Sequence, residues 1–429
     1  QLRPTIQAFN TAKLDSIAAC GDVNRNVIVS SHPQISAIHQ QIYEYADKIS
    51  TLLLPKTQSY YEVFIDGEKI YERSSEADPL YEDRYLPRKF KIAIAIPPSN
   101  DVDVFTNDIG LIAIIENDVL KGFNIAIGGG LATTHGNPNT YSRLGSIIGF
   151  TDTEEKTLKA VYEILTVQRD FGNRVDRKLS RLKYTVDKLT VEGFKKELEN
   201  RIGFEFEPER KYTFTERSDR FGWEQNHQGK WFYTLFVEHG VVKPEQKQFL
   251  YELAQLDISN FIFSGNQNLI LGEIEERNKT KVEALLLQHD IEKQVSALRK
   301  NSMACVALPT CPLALAEAQR YLPELVTKIE PILAKYELSN DEISIRMTGC
   351  PNGCGRPYVS ELGFVGTGPE QYNFMLGGDR LGTRLNTIYK EKQTESQILA
   401  EVDVLLGKYV NEKLENETFG DFTFRTILN

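Results

Sequence analysis

The sequence predicts an α+β fold: two related mixed α/β units with a ferredoxin-like half-domain between them. Three observations carry this. Strand-like and helix-like segments follow one another along the whole chain. The order strand Lys230–Glu238, helix 243–255, then strands Asn260–Phe263 and Asn268–Leu271 is half of a ferredoxin-like unit. A short segment also recurs. Gly122-Phe123-Asn124-Ile125-Ala126-Ile127-Gly128-Gly129 is echoed by Tyr372-Asn373-Phe374-Met375-Leu376-Gly377-Gly378, with the Asn-to-Gly-Gly spacing kept.

Residues 10–54 read as mostly helical, broken at Asp22-Val23-Asn24-Arg25-Asn26 and at Ser31-His32-Pro33. Tyr61–Ile65 and Lys69–Tyr71 alternate about an Asp66-Gly67 turn, a hairpin signal. Phe90–Ile96, Leu111–Glu116 and Phe123–Ile127 are apolar runs of strand length, the last ending in three glycines. Helical spacing covers 152–169 and 190–202, with a basic stretch from Arg169 to Lys183 between them. The pattern changes near Arg217-Ser218-Asp219, where the half-domain begins. Helices follow at 275–288 and 312–335, then strand Ile343–Met347, strands at 363–366 and 372–376, and a helix at 395–413.

A chain of 429 residues exceeds one compact core and suggests about two to four domains. With 41% hydrophobic and 26% charged residues, the composition is that of a globular protein. No run reaches the roughly 18 apolar residues that cross a bilayer. A net charge of −10 argues against nucleic-acid binding. The cytosol is the expected compartment. The start Gln1-Leu2-Arg3-Pro4, without an initiator Met or a signal-peptide core, reads as that of a processed or excised fragment.

Five cysteines are too few, and odd in number, for a disulfide scaffold. Cys20 reads as a packing residue. The other four form two tight pairs, Cys305-x5-Cys311 and Cys350-x3-Cys354, with no histidine near either. Four thiolates without imidazole suit a multi-iron cluster or a structural zinc. Zinc ribbons favour Cys-x2-4-Cys turns in both halves, so the x5 loop leans towards a [4Fe–4S] cubane. Gly349, Gly353 and Gly355 let backbone N–H groups turn towards sulfur. Four buried structural thiols are the plainest alternative, but two close pairs among glycines are a poor match to random packing.

Arg88-Lys89-Phe90-Lys91 opens an apolar strand, so Lys89 and Lys91 face one side and Arg88 the other. Two ammonium groups on one face are costly unless an anion sits between them. A solvated strand end is the bland explanation. Arg169, Arg174, Arg177, Lys178, Arg181 and Lys183 form a denser cluster that suits a ligand with many carboxylates, or else a solvated face. Arg25 alone in a loop and Asn266-Gln267-Asn268 between strands mean little by themselves. The glycines at 128–130 do not make a dinucleotide site, because Thr133 stands where G-x-G-x-x-G needs Gly. None of the six histidines stands in a catalytic or metal-binding pattern.

Together the cysteine motifs, with Met347-Thr348-Gly349 leading into Cys350-Pro351-Asn352-Gly353-Cys354-Gly355, resemble the signature of the sirohaem and [4Fe–4S] sulfite and nitrite reductases. Asn24-Arg25-Asn26-Val27, Leu86–Lys91, Gly122-Phe123-Asn124, Arg169-Asp170-x-Gly172-Asn173-Arg174 and Asn266-Gln267-Asn268 extend the resemblance over nearly the whole chain. The haemoprotein (beta) branch of the assimilatory NADPH-dependent enzymes is the nearest pattern.

The resemblance implies duplicated sulfite/nitrite reductase repeats around a central cofactor. Residues 1–17 would be a remnant of an N-terminal ferredoxin-like segment and 18–218 a first domain carrying the substrate and sirohaem cations. Residues 219–293 would be a ferredoxin-like half-domain, and 294–429 a second domain with the cluster cysteines. It further implies that Cys305, Cys311, Cys350 and Cys354 hold the cubane, and that Cys354 also bridges it to the sirohaem iron. Arg25, Lys89 and Lys91 would bind sulfite and supply protons, while Arg88, Lys178, Asn266, Gln267 and Asn268 would hold the macrocycle. The family's first half-repeat, with a further pocket arginine, would precede residue 1.

Relatives specific for nitrite tend to have Asn where this chain has Lys91, which favours sulfite. The implied partners are sulfite and an electron-donating NADPH-dependent flavoprotein subunit or domain, with ferredoxin the lesser alternative. No nucleic acid or membrane is implied. A ferredoxin-dependent nitrite reductase and, in another class, a non-redox zinc-stapled binding protein are the competing functions.

Overall fold

The structure is a computed structural model that describes residues 2–12, 22–31, 35–56, 62–65, 68–72, 78–291 and 294–429. Cys20, His32, Pro33 and the Asp66-Gly67 turn lie outside the described residues. The strands of the first sheet are β1 (Asn24–Val29), β4 (Phe90–Ala95), β5 (Ile109–Glu116), β6 (Val119–Ile127) and β7 (Ser146–Thr151), hydrogen-bonded in that order. A separate hairpin of β2 (Glu62–Ile65) and β3 (Glu68–Glu72) interrupts them in sequence. A second, antiparallel sheet contains β8 (Gly222–Gln225), β9 (Trp231–Leu235), β10 (Asn260–Phe263) and β11 (Leu269–Ile274), in the order β10-β11-β9-β8. The third sheet runs in chain order through β12 (Ser302–Ala304), β13 (Ile345–Thr348), β14 (Leu362–Gly368), β15 (Gln371–Leu376) and β16 (Thr387–Gln393).

The first and third sheets are two copies of one design. In each, two parallel pairings are followed by two antiparallel ones. In each, the second strand ends in an eight-residue loop (96–103 and 349–356) that enters a 3-10 turn, Val104–Thr106 or Pro357–Val359. Both turns are entered through a left-handed residue, Asp103 at φ 49° and Arg356 at φ 53°.

The echoed sequences are β6 and β15, the same strand in each copy. Their glycine pairs have a shared physical cause. Gly128 and Gly377 adopt positive φ, and a side chain on Gly129 or Gly378 would stand 2.2 Å from Phe105 O or 2.3 Å from Ser360 O. Only glycine lets the strand end lie against the backbone near each 3-10 turn.

Each sheet buries one face under helices. Helices Ala37–Leu52, Glu154–Phe171 and Val191–Ile202 cover the first, placing Ile49, Ile164 and Leu198 in a core with Ile94, Leu111 and Phe123. Leu322–Lys335 and Glu395–Glu412 do the same for the third, through Ile329, Leu333, Val402 and Leu406 over Ile345 and Phe374. Pro244–Leu256 and Glu276–Gln288 cover the second through Phe249, Leu253, Val282 and Leu286. Each such side chain contributes roughly 1.5–3 kcal/mol of burial.

Several elements differ from expectation. The stretch 10–54 contains helix Ala37–Leu52 but also β1, because the β-branched run Val27-Ile28-Val29 outweighs the loop signal of Asn24 and Asn26. The helix expected at 312–335 starts at Leu322, and the residues before it form loop beside the cysteines. β12 is too short for a periodic signal. β16 is an edge strand whose Lys390, Glu391 and Lys392 mask it as loop. β7 and β8 were also not legible. Among the described residues no helix is long and apolar enough to cross a membrane.

Candidate cofactor and active site

The third sheet brings the two cysteine pairs together. Cys305 follows β12, and Cys350 and Cys354 lie on the loop after β13. The parallel pairing Ala304↔Met347 therefore sets Cys305 beside Gly349. The Gly349 N–H and the Thr348 hydroxyl both donate to Cys305 Sγ at 3.3 Å. The Cys311 N–H bonds Ala307 O, folding the x5 loop back, and Leu315 and Ala316 N–H both reach Gly349 O. A side chain on Gly355 would stand 2.3 Å from Met347 O, so this loop lies directly on the strand it leaves.

Burial pushes the Cys350 and Cys354 thiols up. The charges of Cys305 and Cys311 add to the rise at both, while the Asn352 N–H opposes it at Cys350 and Lys89 and Lys91 oppose it at Cys354.

Cys354 also faces a cavity of about 280 Å³ lined by both repeats, at the lower end of the size range of ligand sites. The thiol is solvent-accessible because it opens into this space, although protein surrounds it. Lys89, Lys91, Arg181 and Arg356 are the cations of the cavity wall, and Asn26, Asn107, Gln267 and Asn352 add polar groups. Arg181 is held in place by buried Asp108, at 2.7 and 3.1 Å, and Asp108 also accepts the Lys91 backbone N–H. Burial, then Lys91 and Arg181, push the Lys89 ammonium down to about 8. Burial and Arg181 likewise depress Lys91. The cavity is built to receive anions.

The expected residues fall in different places. Lys89 and Lys91 share the cavity wall and Arg88 does not line it; Arg88 sits half-buried, its pKa lowered by burial and by Arg177, Arg181 and Arg25. Arg25 is on the exposed side of β1, with its charge reaching Arg88 and Lys89. Gln267 lines the cavity and donates to Ala304 O at 2.9 Å, next to Cys305. Asn266 and Asn268 instead brace this loop through Asp219. Lys178 stands exposed on the 3-10 turn Arg177–Leu179, off the cavity wall.

Arg356, Asn107 and the buried Asp108 were not singled out from sequence. The only available signal was acids crowded into the apolar stretch Asn100–Asp108, and one arginine two residues after Cys354.

Comparison with known proteins accords with this geometry. The family description "Nitrite and sulphite reductase 4Fe-4S domain" matches residues 44–206, and "Nitrite/Sulfite reductase ferredoxin-like half domain" matches 224–289. The "Sulfite reductase [NADPH] hemoprotein beta-component" of Leptospira biflexa is 56% identical over 99% of this chain and 78% of its own length. The chain belongs to the nitrite and sulfite reductase family. Proteins of the same description from Staphylococcus haemolyticus and Lysinibacillus sphaericus are 47% and 49% identical, over 99% and 98% of this chain and 75% and 74% of theirs. The Mycobacterium tuberculosis NirA structure shares the fold, with a TM-score of 0.77 at 21% identity, covering 99% of this chain and 74% of that one. As a member of the nitrite and sulfite reductase family, this chain is an oxidoreductase, and the family's cofactors are sirohaem and a [4Fe–4S] cluster.

The residues present fit both groups. The donor set is all sulfur, with two hydrogen-bond donors already aimed at Cys305 Sγ. The cationic cavity beside Cys354 matches a macrocycle rich in carboxylates.

Proposed function

We propose that this chain is the haemoprotein component of an assimilatory NADPH-linked sulfite reductase, taking sulfite to sulfide in a six-electron reduction in the cytoplasm. The observation that carries this reading is that Cys354 opens into the same cavity as Lys89 and Lys91. Sirohaem and the cluster, when bound, would pass on electrons received from a donor and provide the iron at which sulfur is reduced.

The chain's own residues do the rest. Cys305, Cys311, Cys350 and Cys354 would hold the cluster, and Cys354 would also reach the sirohaem. Lys89 and Lys91 bind the oxyanion and deliver protons from Nζ as its oxygens leave, and Arg25 contributes from the cavity rim. Lys89, with its pKa already near 8, releases a proton readily at neutral pH. Arg181 and Gln267 would face the macrocycle and its carboxylates, Asn266 and Asn268 stiffen the loop that presents Gln267, and Arg88 and Lys178, both off the cavity wall, would serve outlying carboxylates.

In this reading residues 18–218 and 294–429 are the two reductase domains, with the half-domain at 219–293 between them. Electrons come from an NADPH-dependent flavoprotein, because the sequence has no nicotinamide or flavin motif of its own. Lys91 favours sulfite over nitrite: a second cation suits an oxyanion of higher charge.

The test is turnover of the holoprotein with a reduced viologen dye, counting sulfide formed against electrons consumed. One sulfide per six electrons is expected. Efficient nitrite turnover with none on sulfite would overturn the substrate assignment.

A further inference from the structure

Asp103 sits outside the cavity wall, yet it pairs with three arginines. Its side chain is fully buried and pairs with three guanidinium groups: Arg217 at 2.6 Å, Arg346 at 2.6 Å and Arg356 at 2.7 Å. Burial acts to raise its pKa, but the three arginines prevail and hold the carboxyl well below its ordinary range. One carboxylate cannot neutralise two buried guanidinium groups and a half-buried third, so the arrangement is poor as a stabilising device; an apolar core would serve stability as well. It is a good geometric clamp, because it ties the segment before the half-domain, through Arg217, to β13 and the loop after it, through Arg346 and Arg356.

Arg346 lies on β13, the strand leading to Cys350. Arg356 stands two residues beyond Cys354, and its other nitrogen donates to Gly265 O at 2.6 Å on the cavity wall. Arg217 also donates to Val359 O at 2.6 Å in the following 3-10 turn. Asp103 itself ends the loop that follows β4, the strand carrying Lys91.

The repeat geometry sharpens this. Asp103 and Arg356 occupy the same position in the two repeats, each the left-handed residue before its 3-10 turn. The equivalent loops of the two repeats therefore meet at this pair, next to the cavity.

We propose that Asp103 is a positioning residue: through Arg346 and Arg356 it fixes the Cys350–Cys354 loop against the strand that carries Lys91, and so sets where the Cys354 sulfur stands relative to the cavity cations. This rests on the function proposed above.

The test compares Asp103→Asn, Asp103→Glu and Arg356→Lys with the unaltered holoprotein. In Asp103→Asn, iron and sirohaem content should stay near the unaltered level while kcat falls about 10- to 100-fold, since a misplacement of ~1 Å can cost 10²-fold. KM for sulfite should change less than about threefold, and the electronic-coupling signature between cluster and sirohaem should shift; Asp103→Glu should recover much of both. An Asp103→Asn protein with unaltered kcat and coupling overturns the proposal.

If Asp103→Asn fails to fold or load cofactor, Arg356→Lys decides, because it keeps the charge but loses the two-sided grip on Asp103 and Gly265. Unaltered kcat and coupling in Arg356→Lys overturns the proposal; a selective loss of both supports it. Absence of iron, sirohaem or sulfite turnover in the unaltered protein would instead overturn the functional reading.

Discussion

At the scale of residues, the site works by placing two chemistries on one cavity: a soft sulfur donor and hard cations. The depressed lysines record the cost of leaving Lys89 and Lys91 together in a buried place without an anion. Lys91→Asn should lower sulfite turnover at least several-fold more than nitrite turnover, read as the ratio of kcat/KM values; equal losses would count against the role of Lys91 in choosing sulfite. Cys354→Ser should lose the coupling between cluster and sirohaem together with activity, and an unchanged coupled spectrum would refute its bridging role.

The cysteines and the lysine pair were legible because each is an improbable local pattern. Arg356 and Asp108 were not, because their importance depends on partners far apart in sequence: Asp103 for one, Arg181 for the other. Lys178 shows the converse, a conspicuous cation in sequence that the fold leaves on the surface.

At the scale of elements, the third sheet's parallel strands aim both cysteine pairs at one corner, and the backbone against each 3-10 turn is tight enough to require glycine. Gly378→Ala should therefore lower stability by about 1–3 kcal/mol in chemical denaturation, and Gly129→Ala by a similar amount, because each added carbon meets backbone oxygen.

Glu361, at the start of β14, makes a second element-level prediction. It accepts bonds from the Ser344 N–H and hydroxyl and from the Gly420 N–H, tying β14 to the approach to β13 and to the C-terminal segment. Burial nonetheless pushes its carboxyl up to about 7. Between about pH 4.5 and 7 the folded state then holds a proton that the unfolded state has lost, so stability falls as pH rises through that window, by roughly 3 kcal/mol. Denaturation across this range should show that slope, and Glu361→Gln should flatten it.

Long apolar strands such as β5 and β6 were readable from pattern alone. β12 and β16 were not, since one is only three residues and the other is a charged edge whose pairing, not its composition, makes it a strand.

At the scale of the whole molecule, the recurrent Asn-to-Gly-Gly segment was a small visible trace of a duplication that organises everything else. Two sheets share one strand pattern, and their equivalent loops meet at Asp103 and Arg356. The cavity opens beside that meeting point, with one repeat supplying Lys89, Lys91 and Arg181 and the other the sulfur and Arg356. The half-domain contributes Gln267 from its β10–β11 loop, reaching across to Ala304. Sequence could suggest two related units, but not that their interface is the site, because the residues in contact are about 250 positions apart.

If Cys354 joins a cluster to a sirohaem, metal analysis and the absorption spectrum of the purified holoprotein will show both groups. Iron with acid-labile sulfide and a sirohaem band is the predicted result; a colourless protein with one zinc and no iron would contradict it.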